Sequence, residues 1–435
     1  MEFQRLLYKS AMWRSLVLLS QFVLNILVAR YYEPEESGQL FYLLNNYAFL
    51  ITILSFSIET GIGYYCATGK IAAGKLTGLS LLWTLSAAIL TLVVVYFFTI
   101  NEGGLTLVSV VMPLLFVTGN MLITFFLSLF FARKNFALPN MILLAGNLFV
   151  IVVVIAAGNN WLPWLSPEVI LYIYVGIYLV QGIIMAIFFL RKNVISSSIS
   201  LPDIPEIKML IRFSLLAFIS NFITFLVFRS DYWFIQYFRS DGQELGNYIQ
   251  VSKIAQLFFA IPSFLASAIF PLTSGGLPKI KEDIIVLTRI IFFVSSAGCL
   301  LIALLGKWLF PFVFGELFNQ MYLPFLLLVP GIISICIAYP LTSYFAGKNK
   351  IRINIYASLL ALFFIVPGAL ILVPAYGIRG AAVVSCIGYM VLFITVFYNF
   401  NRESPVGLVN YLLIRRSDAA WLKKVFTKNV KNGSD

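Results

Sequence analysis

Histidine is missing from all 435 residues, which removes imidazole acid–base catalysis, the histidine zinc-protease motif and histidine haem ligation together. Cysteine is scarce. Cys66, Cys299, Cys336 and Cys386 lie in four separate apolar stretches, a pattern of buried packing rather than of a disulfide framework or a metal site. Charge is short as well: 11% of residues are Asp, Glu, Lys or Arg, against about 25% in a globular domain. With 61% hydrophobic and 16% aromatic residues, a soluble fold could not hide the apolar surface. A nucleotide-binding loop is also absent. "GKIAAGK" (69–75) imitates the first seven positions of one, but Leu76 stands where a Ser or Thr should reach magnesium. No cofactor and no metal are expected.

What the chain has instead is apolar length. Twelve stretches of about 18–25 mostly apolar residues, from 11–29 and 40–66 through to 379–399, match the ~20 helical residues that cross a bilayer. The fold class is therefore all-α: a polytopic membrane protein with twelve transmembrane helices. The first stretch follows Arg5, Lys9 and Arg14 but leads into "LVARYY", with no small-residue cleavage site, and reads as an uncleaved helix. If the odd-numbered loops are external, every Lys and Arg falls on the cytoplasmic side except Arg30, Arg229, Arg239, Lys253, Lys307 and Arg379. That asymmetry predicts both termini in the cytoplasm. The +12 net charge is spread over many short segments, so it addresses membrane lipids and not nucleic acid.

The longest loop, "RKNVISSSISLPDIPEIK", follows the sixth span and has a linker composition. It divides the chain into six-helix halves, 1–200 and 201–399, followed by a basic tail, 400–435, whose "LLIRRSDAAWLKKVF" suits a helix lying on anionic lipid. The shift that carries "ESGQ" (36–39) onto "ELGN" (244–247) also carries Ser55-Phe56 onto Ser263-Phe264. Two such halves around a central cavity are a common transporter plan. Lacking a nucleotide site, a transporter of this kind runs on an ion gradient or on the gradient of its own substrate.

Five charges lie within or just inside spans: Arg14, Glu59, Arg229, Asp231 and Lys253. Intramembrane charges are functional suspects by default. Asp231 and Lys253 flank the external loop at matched depths of roughly 15–18 Å, which makes them candidates to pair. Arg229 and Asp231, two residues apart, point to different sides of their helix. Polar residues fall on stripes with these charges: Gln21 and Asn25 with Arg14, Asn45 and Thr52 with Glu59, and Gln256, Ser263 and Ser267 with Lys253. Helix-to-helix hydrogen bonding is the plain explanation for the neutral ones. Three cations confined to four helices favour a wet, positive cavity. A membrane glycosyltransferase is the enzymatic alternative, resting on Glu33, Glu35 and Glu36 in the first external loop. Acidic residues around a proline are as well explained as a helix start, and no external domain is available to hold an acceptor. The reading is not an enzyme.

Three segments resemble bacterial polysaccharide flippases, the O-antigen and capsule (Wzx-type) branch of the superfamily that also holds multidrug exporters. They are "ARYYEPEESGQLFYLLNNYAFLITILSFSIETGIGYY", "FRSDYWFIQYFRSDGQELGNYIQVSKIAQLFFAIPSFLASAIFPLTS" and "FAGKNKIRINIYASLL…LVPAYGIRGAAVVSCIGYM". The resemblance implies an undecaprenyl-pyrophosphate-linked oligosaccharide, moved by alternating access across the bacterial inner membrane for O-antigen, capsule or exopolysaccharide biosynthesis. It implies anion-binding roles for Arg14, Arg229 and Lys253, with Asn25, Asn45 and Gln256 beside the substrate. Glu59 and Asp231 would balance charge or couple an ion. Membrane lipids and a polysaccharide polymerase are the implied partners, and a monomer the expected state. A cation-coupled multidrug exporter of the same superfamily is the alternative.

Overall fold

The computed structural model describes residues 2–100, 107–193, 199–239, 241–274, 280–405, 407, 409–413, 415 and 418. Its long elements are all helices. They are α1 (Glu2–Ser55), α2 (Ile58–Ala67), α3 (Ala73–Ile100), α4 (Leu107–Ala132), α5 (Ala137–Gly158), α6 (Pro167–Asn193), α7 (Ile204–Arg239), α8 (Gly242–Ser274), α9 (Ile280–Phe314), α10 (Tyr322–Gly347), α11 (Ile351–Tyr376) and α12 (Ile378–Glu403). Among the described residues eleven helices are long and apolar enough to cross a bilayer, the first running from Met12 to Ser55. Those 44 residues extend about 66 Å, twice a ~30 Å hydrocarbon core, so α1 contains the first two of the twelve expected passes.

The joint between those passes is at Glu33, whose backbone is non-helical (φ 61°, ψ 174°), followed by Pro34, which has no N–H to donate. A second interruption was not legible in the sequence. Phe56 and Ser57 both adopt left-handed backbone angles, φ 49° and 50°, and separate α2 from α1. Side chains satisfy part of the interrupted backbone. Trp83 Nε1 donates to Leu54 O at 2.8 Å, and the Ser57 amide donates to Ser55 Oγ at 3.3 Å. Asn221 Nδ2 donates to Ser57 Oγ at 3.0 Å, and the Phe56 ring stacks on Phe218 at 4.6 Å. Such support is what lets irregular backbone persist at membrane depth. Elsewhere, α10 and α11 run through Pro330, Pro340 and Pro367 without ending.

The chain forms two compact units. One contains 2–31 and 43–222; the other contains 32–42 and 223–435. The first has a core of close-packed aromatics and aliphatics from α2, α3, α4 and α6, with Phe125, Phe126, Leu129, Phe130 and Phe189 inaccessible and Phe130 edge-on to Phe189 at 5.1 Å. Large apolar residues are equally abundant outside, among them Phe97, Phe98, Phe312 and Phe363. That distribution suits a lipid solvent. The second unit takes in the turn at Glu33 because the start of α8 receives it: a Cβ on Gly38 would lie 2.7 Å from both the Gly242 carbonyl oxygen and the Gly246 nitrogen.

The described residues of the tail pack within the second unit. Tyr411 is buried, sits edge-on to Phe397 with ring centres 4.9 Å apart, and donates to Ser404 O at 3.4 Å. Asp418 pairs with Arg289 of α9 at 2.6 Å. Most of the lipid-lying helix expected within 400–435 falls outside the described residues, as does part of the linker between α6 and α7.

Candidate functional site

Of the eight residues singled out in the sequence, four belong to the second unit and come together on two helices. Arg229 and Asp231 sit on α7, Lys253 and Gln256 on α8. Arg229 is partly accessible, and its guanidinium donates to the Tyr232 hydroxyl at 2.9 Å and to Gln256 Oε1 at 2.7 Å. It also lies 5.4 Å from the centre of the Tyr232 ring. Helical spacing makes the first contact, since residues i and i+3 share a face. Gln256 follows Lys253 at the same spacing. Its amide nitrogen donates to Ser252 Oγ at 3.3 Å.

Asp231 is buried and turned away from this face. Its carboxylate accepts from Tyr248 Oη at 2.6 Å, from Ser385 Oγ of α12 at 3.0 Å and from the Tyr232 amide at 3.0 Å. Three donors are what a carboxylate needs where water is scarce. The depth-matched partnership expected between Asp231 and Lys253 is not what holds the carboxylate: Lys253 Nζ lies over the Phe41 ring, 2.7 Å from its centre. An ammonium over an aromatic face is attracted by the negative face of the ring. Phe228, Phe259 and Tyr389 complete an aromatic wall beside these helices, with ring centres 5.3–6.1 Å apart.

The other four residues belong to the first unit. Arg14 is half-buried, with its guanidinium carbon 4.6 Å over the Phe131 ring. Asn25 is half-buried one turn beyond Gln21, whose amide donates to Tyr178 Oη at 3.4 Å. Asn45 is buried, and neither atom of its amide has a hydrogen-bond partner among the described residues. Glu59 occupies the first turn of α2, directly after the left-handed break, where the positive end of a helix favours an acid. Its carbonyl accepts from Ser128 Oγ at 2.6 Å, while its Oε2 is buried without a partner among the described residues. Two hydroxyls of the polar stripes turn back on their own helices: Thr52 bonds Ala48 O at 2.9 Å and Ser263 bonds Ala260 O at 2.7 Å. The side chain of Ser267 lies outside the described residues.

Sequence reasoning overlooked Tyr232, Tyr248, Ser385 and Tyr389. The spacing from Arg229 could have found Tyr232. Nothing local could have found Ser385, which comes from α12 to a carboxylate on α7.

The fold is that of solved transporters of the MOP superfamily. A multidrug resistance MATE family transporter in an inward-facing conformation superposes with a TM-score of 0.69 at 15% identity, covering 89% of this chain and 94% of its own. Lipid II flippase MurJ in an inward closed conformation gives a TM-score of 0.69 at 12% identity, covering 98% and 94%. A MOP superfamily transporter from Pyrococcus furiosus, described as having a binding pocket of reverse polarity that suggests a different function, gives 0.67 at 15% identity, covering 92% and 94%. No protein-family model matches the chain, and no curated protein matches it.

Proposed function

We propose that this chain is a secondary transporter that moves an undecaprenyl-pyrophosphate-linked oligosaccharide from the inner to the outer leaflet of the bacterial inner membrane, supplying O-antigen, capsule or exopolysaccharide synthesis. The observation that carries the reading is the state of Arg229: a cation within a membrane span, held by a phenol and an amide and by no carboxylate. A cation in a poor dielectric attracts an anion strongly, and a guanidinium can grip two phosphate oxygens at once. Lys253, one helical turn from Gln256, is assigned the same anion-binding role. Arg14, Asn25 and Asn45 of the first unit are assigned to substrate binding, and Glu59 and Asp231 to charge balance or ion coupling. Both termini are assigned to the cytoplasm.

A cation-coupled multidrug exporter is the second reading, and the MATE and MurJ neighbours match this chain equally at a TM-score of 0.69. The fold does not choose between them; the sign of the accessible charge favours the flippase. Deleting the gene tests the choice. A flippase mutant accumulates lipid-linked oligosaccharide on the cytoplasmic side and loses surface polysaccharide. Normal surface polysaccharide together with new sensitivity to cationic drugs would sink the flippase reading in favour of the exporter.

A further inference from the structure

The guanidinium of Arg229 is oriented by neutral groups. Its terminal nitrogens are engaged by Tyr232 Oη and Gln256 Oε1, and Gln256 is steadied in turn by its bond to Ser252. All three are neutral groups. The adjacent carboxylate, Asp231, is taken up by Tyr248, Ser385 and the backbone. Ion pairs of the described residues include Lys75 with Asp203 and Glu206, Arg239–Glu244, Arg289–Asp418, and Lys348 and Lys350 with Glu403; Arg229 is in none of these.

We propose that Gln256 is a positioning residue that aims Arg229 without placing a carboxylate on it, and so sets the preference of this site for diphosphate anions over cations. The proposal rests on the anion-carrier reading above and assigns its charge selectivity to one amide. Glutamate has nearly the shape of glutamine and would accept the same hydrogen bond. It would hold the guanidinium equally well, but as an ion pair. The difference is electrostatic. Arg229 is held by neutral acceptors, and a carboxylate at 256 would place a negative charge directly on its guanidinium. Where screening by water is weak, that single charge decides which sign of ligand is attracted. Evenly, arginine needs a fixed plane to engage two phosphate oxygens, so loss of the amide without a replacement acceptor costs orientation and not charge.

The test uses the full-length protein in nanodiscs, with farnesyl diphosphate as probe and farnesyl monophosphate as the less charged reference. Gln256→Glu should weaken diphosphate binding about tenfold or more and erase the preference for diphosphate over monophosphate. It should also admit the cation tetraphenylphosphonium. Gln256→Met should weaken both anions by only about threefold and keep the preference, since the charge remains and one hydrogen bond is lost. If Gln256 merely ties α7 to α8, the order inverts: glutamate, still an acceptor, is the mild variant and methionine the severe one. That inversion overturns the proposal. Should the glutamate variant not fold, loss of the diphosphate preference in Gln256→Met overturns it equally. Arg229→Ala separates the two levels. Wild-type diphosphate binding in that variant removes the anion site altogether; lost binding there with an unaffected Gln256→Glu removes only the role of Gln256.

Discussion

Gly38 and Gly246 lie against each other, so close that a Cβ on Gly38 would stand 2.7 Å from the Gly246 nitrogen and 2.8 Å from its Cα. The two are also counterparts. The shift that carries "ESGQ" onto "ELGN" carries Gly38 onto Gly246. Glycines at matching positions of these two segments thus meet within one unit, where the turn after the first pass lands on the start of α8. Small residues are the means by which membrane helices bring their backbones together.

The contact predicts an ordering of stabilities. Gly246→Ala places its methyl against the Pro34 carbonyl, and Gly38→Ala against the backbone of Gly242 and Gly246. Neither neighbour can rotate away. Each should cost about 1–3 kcal/mol, seen as a lower melting temperature of the purified protein. Gly242→Ala should be milder, because its nearest neighbour at 2.9 Å is Cγ of the Glu35 side chain. Equal losses at 242 and 246 would contradict the packing.

Arg289 and Asp418 form a pair with side chains only 6% and 1% exposed. Removing one partner leaves the other charge buried, so Asp418→Ala should cost about 3–5 kcal/mol. Replacing both by apolar residues, Arg289→Met with Asp418→Leu, should recover much of that. Thermal melting of the single and double variants decides it; a single variant as stable as the wild type would place the pair in water.

Asp231 should be coupled to Tyr248 more strongly than to Lys253. Tyr248→Phe removes a 2.6 Å bond to a carboxylate, a contact worth about 1.5–3 kcal/mol, and most of that penalty should vanish when Asp231 is already Asn. Two double-mutant cycles, read by melting, compare the partners. A larger coupling with Lys253 would reverse the assignment.

Arg229→Ala should abolish surface polysaccharide while the protein stays near its normal level in the membrane. Arg229→Lys should restore part of it, keeping the charge but losing the two-pronged grip on phosphate. Immunoblots of membranes, run beside polysaccharide gels, tell a mechanistic arginine from a structural one: absence of the alanine variant from the membrane would mark it as structural.

Topology can be read by labelling after replacement of the four native cysteines. Asp241 and Lys70 are both exposed, in the turns before α8 and α3. A cysteine at 241 should react with an impermeant maleimide on intact cells, and one at 70 only after permeabilisation. The reverse pattern would invert the orientation and move the Lys/Arg-rich loops outside.

Much of this architecture was legible in one dimension, because a bilayer tests each segment almost independently. About twenty apolar residues without charge must form a helix there, since no water is present to satisfy the backbone. The passes, the turn at Glu33 and Pro34, and the short list of intramembrane charges all followed from that local rule. The break at Phe56 and Ser57 did not. No glycine or proline marks it, and its support comes from Trp83, Phe218 and Asn221, distant in the chain. Pairing of the charges was also beyond reach. Depth along a helix suggested Lys253 for Asp231, but rotation about the axis and the approach of α12 chose Tyr248 and Ser385. Composition and spacing place a charge at a height in the membrane. Which neighbour satisfies it depends on how helices far apart in sequence pack side by side, and only the tertiary structure holds that information.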